Sequence, residues 1–188
     1  MTADELSKHA EEFALVPTCY DKGFWGQKMT QAEYDRILKM YPANAKYGNQ
    51  KYIGSDIFAF DCICFLKALL GGATTERRLS YPQMASNPLG DCTNITFKAK
   101  LQNKCMPGEA KRGYGLASDK HCGLALGNGT WIDCNFDGIQ NGVKIHTTGI
   151  GVFDIAGEIP GVEYGTTEDE VKAFLDWLWL QWKERNKL

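Results

Sequence analysis

The sequence has no surplus of basic residues and no long apolar run. Lys and Arg together number 21 against 23 Asp and Glu, which gives a formal net charge of −2. Nucleic acids and anionic membranes are bound by clustered basic surfaces, so neither is expected as a partner. No stretch approaches the roughly 20 apolar residues that a membrane-spanning helix requires. With 44% hydrophobic residues, the chain is expected to be globular and to have no membrane span.

The beginning of the chain also lacks the features of a signal peptide. Residues 1–13 carry four acidic side chains among scattered apolar positions, whereas a signal peptide has a basic start and an apolar run. Two localisations stay open on this ground. The protein is either cytoplasmic or the mature fragment of a secreted one.

The cysteines do not have the spacing of a metal site. There are seven of them, an odd number, so at least one thiol is free or paired between chains, and reduced thiols are expected. Cys62 and Cys64 are closer together than paired zinc ligands, and no second pair has the usual gap. No metal and no cofactor is therefore expected.

Three helices are predicted from their starting signals. In each, a Thr is followed three residues later by a Glu, the pattern of a capping box, and apolar residues then recur at helical spacing. The pairs are Thr2 with Glu5, Thr30 with Glu33, and Thr167 with Glu170. The helices are predicted to end before Pro17, at about Met40 and at about residue 186. Residues 19–27, between the first two, are expected to form an ordered loop, and residues 1–188 a single domain.

Residues 60–72 predict a buried helix with a cysteine in its first turn. Asp61 is a good N-cap, and Gly71-Gly72 offers a left-handed stop. One apolar stripe joins Cys62, Phe65, Leu66, Leu69 and Leu70. The unpaired amides of a helix N-terminus favour the thiolate, which is the nucleophilic form of cysteine. Cys62 is thus a candidate nucleophile, although a buried cysteine is more often a small hydrophobic residue.

The chain has three histidines that could serve as a base. His9 lies on the first predicted helix, where an exposed or capping role is expected, and His146 lies in a polar stretch without a partner that the sequence identifies. His121 begins a predicted strand, and Asp133 lies across the hairpin that follows. A carboxylate beside an imidazole holds its tautomer and stabilises its charge. Cys62, His121 and Asp133 are therefore the candidate nucleophile, base and orienting group.

The hairpin turn decides whether this arrangement can form. Side chains alternate between the two faces of a strand, so a two-residue turn closed by Gly127 and Thr130 would place the candidate base and its carboxylate on opposite faces. A three-residue loop, closed by Leu126 and Thr130, places them on the same face. We predict the three-residue loop, with Gly129 at positive φ and the carboxylate facing the imidazole.

Two regions carry weaker signals. Residues 74–112 have no role that the sequence identifies, apart from a short helix predicted near residues 94–101. Residues 142–153 are expected to add one or two strands after the hairpin.

Several of these motifs resemble those of the NlpC/P60 cysteine peptidases. The run Phe60-Asp61-Cys62 and the apolar helix after it resemble the Asp-Cys-Ser-Gly-Leu nucleophile motif of that family. Residues 121–129, His-Cys-Gly-Leu-Ala-Leu-Gly-Asn-Gly, are similar to its histidine strand and turn, His-Val-Gly-Ile-Tyr-Leu-Gly-Asn-Gly. Asp133 stands where the family has its third polar residue. Residues 20–27 resemble a segment of phage-borne and clostridial members, in which the tyrosine, here Tyr20, lines the catalytic cleft.

The resemblance extends discontinuously over residues 20–135 and has three departures. Ile63-Cys64 replaces the Ser-Gly after the nucleophile, which brings a second thiol near the first. Pro107-Gly108-Glu109 only partly matches the Pro-Gly-Asp-Leu that begins the strand before the histidine. Asp133 replaces the histidine of many members.

The resemblance implies a papain-like α+β fold, in which the nucleophile helix packs on a small antiparallel sheet, here with extra N- and C-terminal helices. It implies a cysteine peptidase that hydrolyses D-γ-glutamyl bonds to a diamino acid in peptidoglycan stem peptides, in a phage or prophage setting if cytoplasmic. Cys62, His121 and Asp133 would be catalytic, and Tyr20 would contact the substrate or the oxyanion. The cleft is expected to be uncharged. Two alternatives stay open, namely a cell-wall amidase or acyl hydrolase, and an inactive or divergent binding module on the same fold.

Overall fold

The helices of the described chain are short and capped. The computed structural model describes residues 1–138 and 140–165, together with Lys172 and Trp179. The predicted C-terminal helix at residues 167–186 therefore lies outside the described residues, apart from those two. No helix in the described ranges is long and apolar enough to cross a membrane. The helices are α1 Ala3–Phe13, α2 Gln31–Met40, α3 Cys62–Leu70, α4 Tyr81–Ala85 and α5 Asn94–Lys100.

The strands form one large antiparallel sheet and one small parallel sheet, and the fold is α+β. The large sheet has six strands in the order β3-β8-β4-β5-β6-β7, and the small one pairs β1 with β2. The strand that follows the predicted hairpin, β7, ends at His146, and the next strand begins only after residue 153. The strands are β1 Thr18–Tyr20, β2 Phe58–Phe60, β3 Gln102–Cys105, β4 Gly115–Ala117, β5 Cys122–Gly127, β6 Thr130–Phe136, β7 Asn141–His146 and β8 Ile155–Glu158.

The predicted starts of the first three helices are confirmed. The Thr2 side chain and the Glu5 side chain cap α1 reciprocally, and the Thr30 side chain accepts the Glu33 N–H at the start of α2. At α3, the Asp61 carboxylate accepts the Cys64 N–H at 2.7 Å. A cap of this kind is worth about 1 kcal/mol, since it satisfies an amide that has no partner within the helix.

Helix α3 is held by burial of its apolar face against β5 and β6. Phe65, Leu66, Ala68 and Leu69 are fully buried in the main core. Full burial of a side chain such as Phe or Leu stabilises the fold by roughly 1.5–3 kcal/mol, so this face fixes the helix firmly on the sheet. The ring of Phe13 from α1 lies edge-on to Phe65 at 5.9 Å and joins the first helix to the same core. The position of Cys62 is thus set by a rigid element.

The sequence analysis expected residues 19–27 to form a loop, but the first two of them belong to a strand. Residues 18–20 form β1, which pairs in parallel with residues 58–60, where Tyr20 is opposite Phe60. The strand is short and its partner lies about 40 residues away, so local sequence contains no signal of the pairing. Because β2 leads directly into α3, this pairing brings Tyr20 close to the start of the nucleophile helix.

The prediction of a three-residue hairpin loop is wrong. Gly127 pairs with Thr130, and the turn is the two-residue Asn128-Gly129, with φ of 53° and 74°. Positive φ at both turn residues is the geometry that Asn-Gly favours in hairpins, and the predicted positive φ of Gly129 is confirmed.

A β-bulge nevertheless preserves the expected register beyond the turn. Ala125 pairs with Trp131 and Gly127 with Thr130, so β5 has one residue more than β6 between these pairs, namely Leu126. The extra residue shifts the register by one, as β-bulges do. His121 and Asp133 therefore share a face of the hairpin, as predicted, but because of the bulge and not because of a three-residue loop.

Candidate functional site

Cys62 is the first residue of α3 and lies at the wall of a cleft of about 1330 Å³. As the first helical residue, its N–H has no acceptor within the helix. The side chain is 5% exposed. Its Sγ lies 3.5 Å from Asn94 Nδ2 and 3.6 Å from Asn94 Oδ1, at the start of α5. The thiol therefore sits between two helix starts, with one edge open to the cleft.

His121 and Asp133 face each other across the β5–β6 hairpin. His121 Nε2 is hydrogen-bonded to Asp133 Oδ2, and because a carboxylate only accepts, Nε2 carries the proton. The remaining ring nitrogen, Nδ1, is left for the interaction with Cys62 that raises the pKa of His121. Burial lowers the pKa of His121, but the bonds to Asp133 and to the Cys62 thiolate outweigh it and raise the pKa to about 9. The structure thus brings the three predicted residues together.

The surroundings of Cys62 favour its thiolate. The largest effect is a hydrogen bond from the Cys122 thiol, which lowers the pKa of Cys62. Burial acts in the opposite direction, and His121 and Asn94 add further lowering, so the pKa lies well below its ordinary value. Burial and the neighbouring Cys62 charge raise the pKa of Cys122 well above the ordinary value, which keeps Cys122 a protonated donor. Cys62 and His121 are therefore set up as a thiolate–imidazolium pair near neutral pH.

Asp133 has two further partners that the sequence analysis missed. Gln140 Nε2 and His146 Nε2 each lie 3.0 Å from Asp133 Oδ1. His146, for which the sequence identified no partner, also stacks on Trp131 with ring centroids 4.0 Å apart. The buried carboxylate thus accepts from three side chains, and its orientation toward His121 is fixed.

A sequence signal for the strand that carries His146 was present, but it left the register of that strand open. Asp137-Gly138 is a strong hairpin dipeptide, and a hairpin at that point pairs β6 with β7. In the observed register Asp133 is opposite Lys144 and Trp131 is opposite His146. Residues two apart share a face, so His146 lies on the diagonal from Asp133. No comparable signal existed for Asn94 or Cys122.

Tyr20 and Asp61 complete the wall around Cys62. Both line the cleft. Asp61 accepts the N–H of Gly23 at 2.9 Å in addition to that of Cys64, and so joins the nucleophile helix to the segment after β1. Burial and the Cys62 charge raise the pKa of Asp61 to about 6. Burial and the same charge also raise the pKa of Tyr20, so its hydroxyl stays protonated and able to donate.

The sequence analysis expected an uncharged cleft, and this expectation is wrong. Charged side chains of both signs line it, and several of them pair with each other. Arg36 Nε donates to Glu33 at 3.0 Å, and Lys67 Nζ donates to Asp91 at 3.2 Å. The charged residues of the wall are Lys22, Lys28, Glu33, Arg36, Asp61, Lys67, Asp91, Asp119 and Lys120.

The other thiols are less suited to attack. All seven cysteines are free, and burial raises the pKa of Cys64, the second thiol of the motif, well above its ordinary value. Cys64 therefore stays protonated near neutral pH. Within the described ranges, no group of three or more His, Cys, Asp or Glu side chains could hold a metal ion.

We expect Cys122→Ala to raise the pKa of Cys62, because the alanine removes the thiol that donates to the thiolate. Cys122→Ser keeps a donor and should stay closer to the unmodified protein. The measurement is the pH dependence of Cys62 alkylation by iodoacetamide, with the modified peptide identified by mass spectrometry. The alkylation midpoint should move to higher pH in Cys122→Ala. An unchanged midpoint would show that Cys122 does not stabilise the thiolate.

Comparison of the chain with models of known protein families and with curated proteins finds no match.

Proposed function

We propose that this protein is a cysteine peptidase of the papain-like NlpC/P60 kind that hydrolyses amide bonds in peptidoglycan stem peptides. The observation that carries the proposal is the arrangement of Cys62, His121 and Asp133 at the cleft. A thiol at a helix N-terminus interacts with an imidazole that lowers the pKa of the thiol, and a buried carboxylate holds that imidazole from the other side. These are the parts that nucleophilic acyl transfer by cysteine requires.

The reaction follows from these positions. The Cys62 thiolate attacks the amide carbonyl carbon, the C–S bond forms, and the electron pair of the C=O moves to oxygen. The backbone N–H of Cys62, which has no acceptor within the helix, would bind that oxygen, and the Tyr20 hydroxyl is a candidate second donor. The C–N bond then breaks as His121 Nδ1 gives its proton to the leaving amine. Water, deprotonated by the same nitrogen, hydrolyses the thioester and restores the thiol group.

The choice of substrate comes from the sequence motifs and is compatible with the cleft. The resemblance to NlpC/P60 peptidases implies a D-γ-glutamyl bond to a diamino acid. Such peptides carry carboxylates and amines, and the cleft wall offers both ammonium and carboxylate groups. The open wall on the α2 side, which includes Lys22 and Lys28, provides space for groups beyond the scissile bond.

Incubation of the purified protein with muropeptides, followed by mass spectrometry of the products, tests the proposal. We expect cleavage within the stem peptide, and the protein alkylated beforehand at Cys62 serves as the blank. Release of whole stem peptides from the glycan would indicate the amidase instead. No cleavage of muropeptides or intact peptidoglycan would overturn the proposed function and favour a binding module.

The same assay has a predicted pH limit. His121 must be protonated to donate to the leaving amine, so hydrolysis should decline as the pH rises through about 9, where His121 loses its proton. The thiolate persists far below that pH, because the pKa of Cys62 is lowered. The other titratable groups that interact with the pair include Asp133, Cys122, Asp61, Tyr20, Tyr47, Cys64 and Cys134.

A further inference from the structure

Asn94 belongs to the part of the chain for which the sequence identified no role. It is the first residue of α5, and asparagine at a helix start commonly serves as a cap. Here the cap is made by its neighbours. Thr93 N–H donates to Thr96 Oγ1 at 2.8 Å, and Thr96 N–H donates back to Thr93 Oγ1 at 3.4 Å. The Asn94 amide is therefore not needed by its own helix.

The Asn94 side chain is directed at the nucleophile instead. Its Nδ2 lies 3.5 Å from Cys62 Sγ, 32 residues away in the chain, and its side chain also lines the cleft. A thiolate only accepts hydrogen bonds, so the N–H of the amide is the group that faces the sulfur when Cys62 is ionised. Among the described residues, Cys62 is the partner of both polar atoms of this amide.

We propose that Asn94 is a catalytic residue whose Nδ2–H binds the oxyanion together with the backbone N–H of Cys62. The oxyanion forms on the carbon that becomes bonded to Sγ, so it lies within about 3 Å of the sulfur. A donor beside the sulfur and on the cleft side reaches that oxygen with a small rotation, and effective oxyanion donors lie about 2.7–3.1 Å from it. This inference rests on the proposed acyl transfer at Cys62.

Asn94 is better placed for this role than Tyr20. The Tyr20 ring packs against Tyr47, and among the described residues its hydroxyl makes no hydrogen bond to Cys62, whereas Asn94 Nδ2 lies 3.5 Å from Cys62 Sγ. The two rings meet edge-on with centroids 5.2 Å apart, which holds Tyr20 in that position. Among the described residues, the Asn94 amide is bonded only to the Cys62 sulfur, so it breaks no other hydrogen bond when it moves. During attack, negative charge passes from the sulfur to the carbonyl oxygen, and the Asn94 N–H can then donate to that oxygen.

The test compares two reactions of the same thiol in Asn94→Ala. Alkylation by iodoacetamide needs the thiolate but forms no oxyanion. Acylation by p-nitrophenyl acetate forms a C–S bond through an oxyanion and then expels p-nitrophenolate, which is measured as a burst of colour. The variant Ala99→Ser, which changes an exposed residue of the same helix outside the cleft wall, is the matched control. The alkylated protein is the blank.

In Asn94→Ala we expect acylation to fall by about 10²–10³-fold, which is the usual cost of removing an oxyanion donor. Alkylation at a pH where the thiolate is fully formed should change by no more than a few-fold, and Ala99→Ser should leave both rates near the unmodified ones. On muropeptides, kcat should fall with KM little changed.

Two outcomes would overturn the assignment. If acylation in Asn94→Ala stays within a few-fold of the unmodified protein, Asn94 is not an oxyanion donor. If acylation and alkylation fall together, Asn94 serves the thiolate rather than the oxyanion. The ester assay does not depend on peptidoglycan, so failure of the proposed substrate and failure of this inference are separately visible.

Discussion

Cys62→Ala and His121→Ala are each expected to abolish muropeptide hydrolysis while leaving the fold intact. Without the thiol no acyl-enzyme can form, and without the imidazole the thiol loses its cationic partner and the leaving amine its proton donor. Rates should fall by about 10⁴-fold or more for either variant, since members of such a unit fail together. The measurement is the rate of product formation, with circular dichroism as a check that each variant is folded.

Asp133→Asn should cost less than loss of the thiol or the imidazole, up to about 10⁴-fold, because the new side-chain amide keeps one oxygen that can accept from the His121 ring. His146 can also change its tautomer to accept from that amide. Cys64→Ala is the matched control for Cys62→Ala, since it removes the neighbouring thiol, which remains protonated. Hydrolysis by Cys62→Ala at a rate comparable with the unmodified protein would refute the assignment of the nucleophile.

Gly142→Ala is expected to destabilise the protein by about 2–5 kcal/mol. The backbone of Gly142 has a φ of 121°, and a Cβ there would lie 2.6 Å from the carbonyl oxygen of Thr18. Positive φ costs a residue with a Cβ roughly 1–2 kcal/mol, and overpacking against backbone adds about 1–3 kcal/mol. The measurement is the free energy of unfolding in urea.

The same substitution should also reduce hydrolysis, because Gly142 lies where β7 crosses β1. Next to it, Val143 N–H donates to Thr18 Oγ1 and Tyr20 N–H donates to Asn141 Oδ1, both at 2.8 Å. The matched control is Gly149→Ala, at a φ of 80° with no heavy atom within 4 Å of the added Cβ. It should cost only the φ penalty, about 1–2 kcal/mol. Equal losses in the two variants would show that the β1–β7 contact is not tight.

The nucleophile helix illustrates what local sequence could predict. Its N-cap at Asp61, its apolar stripe and the glycines after it are all signals within a dozen residues, and each acts through contacts inside or next to the helix. The hairpin turn shows the limit of such reasoning. The sequence predicted correctly that Asp133 faces His121, but through the wrong loop, because a bulge at Leu126 changes the register without leaving a signal in the alternation.

By itself, the sequence determined the short-range elements of this protein: capped helices, a cysteine at a helix start and a histidine strand that leads into a hairpin. Their signals are hydrogen bonds and side-chain periodicities between residues a few positions apart. Only the tertiary structure decided what surrounds the thiol. Asn94 reaches Cys62 from α5 and His146 reaches Asp133 from β7, while Cys122 donates from the strand beneath. These contacts depend on how the separate elements pack against one another, and that packing is set by burial of the whole core rather than by any local pattern.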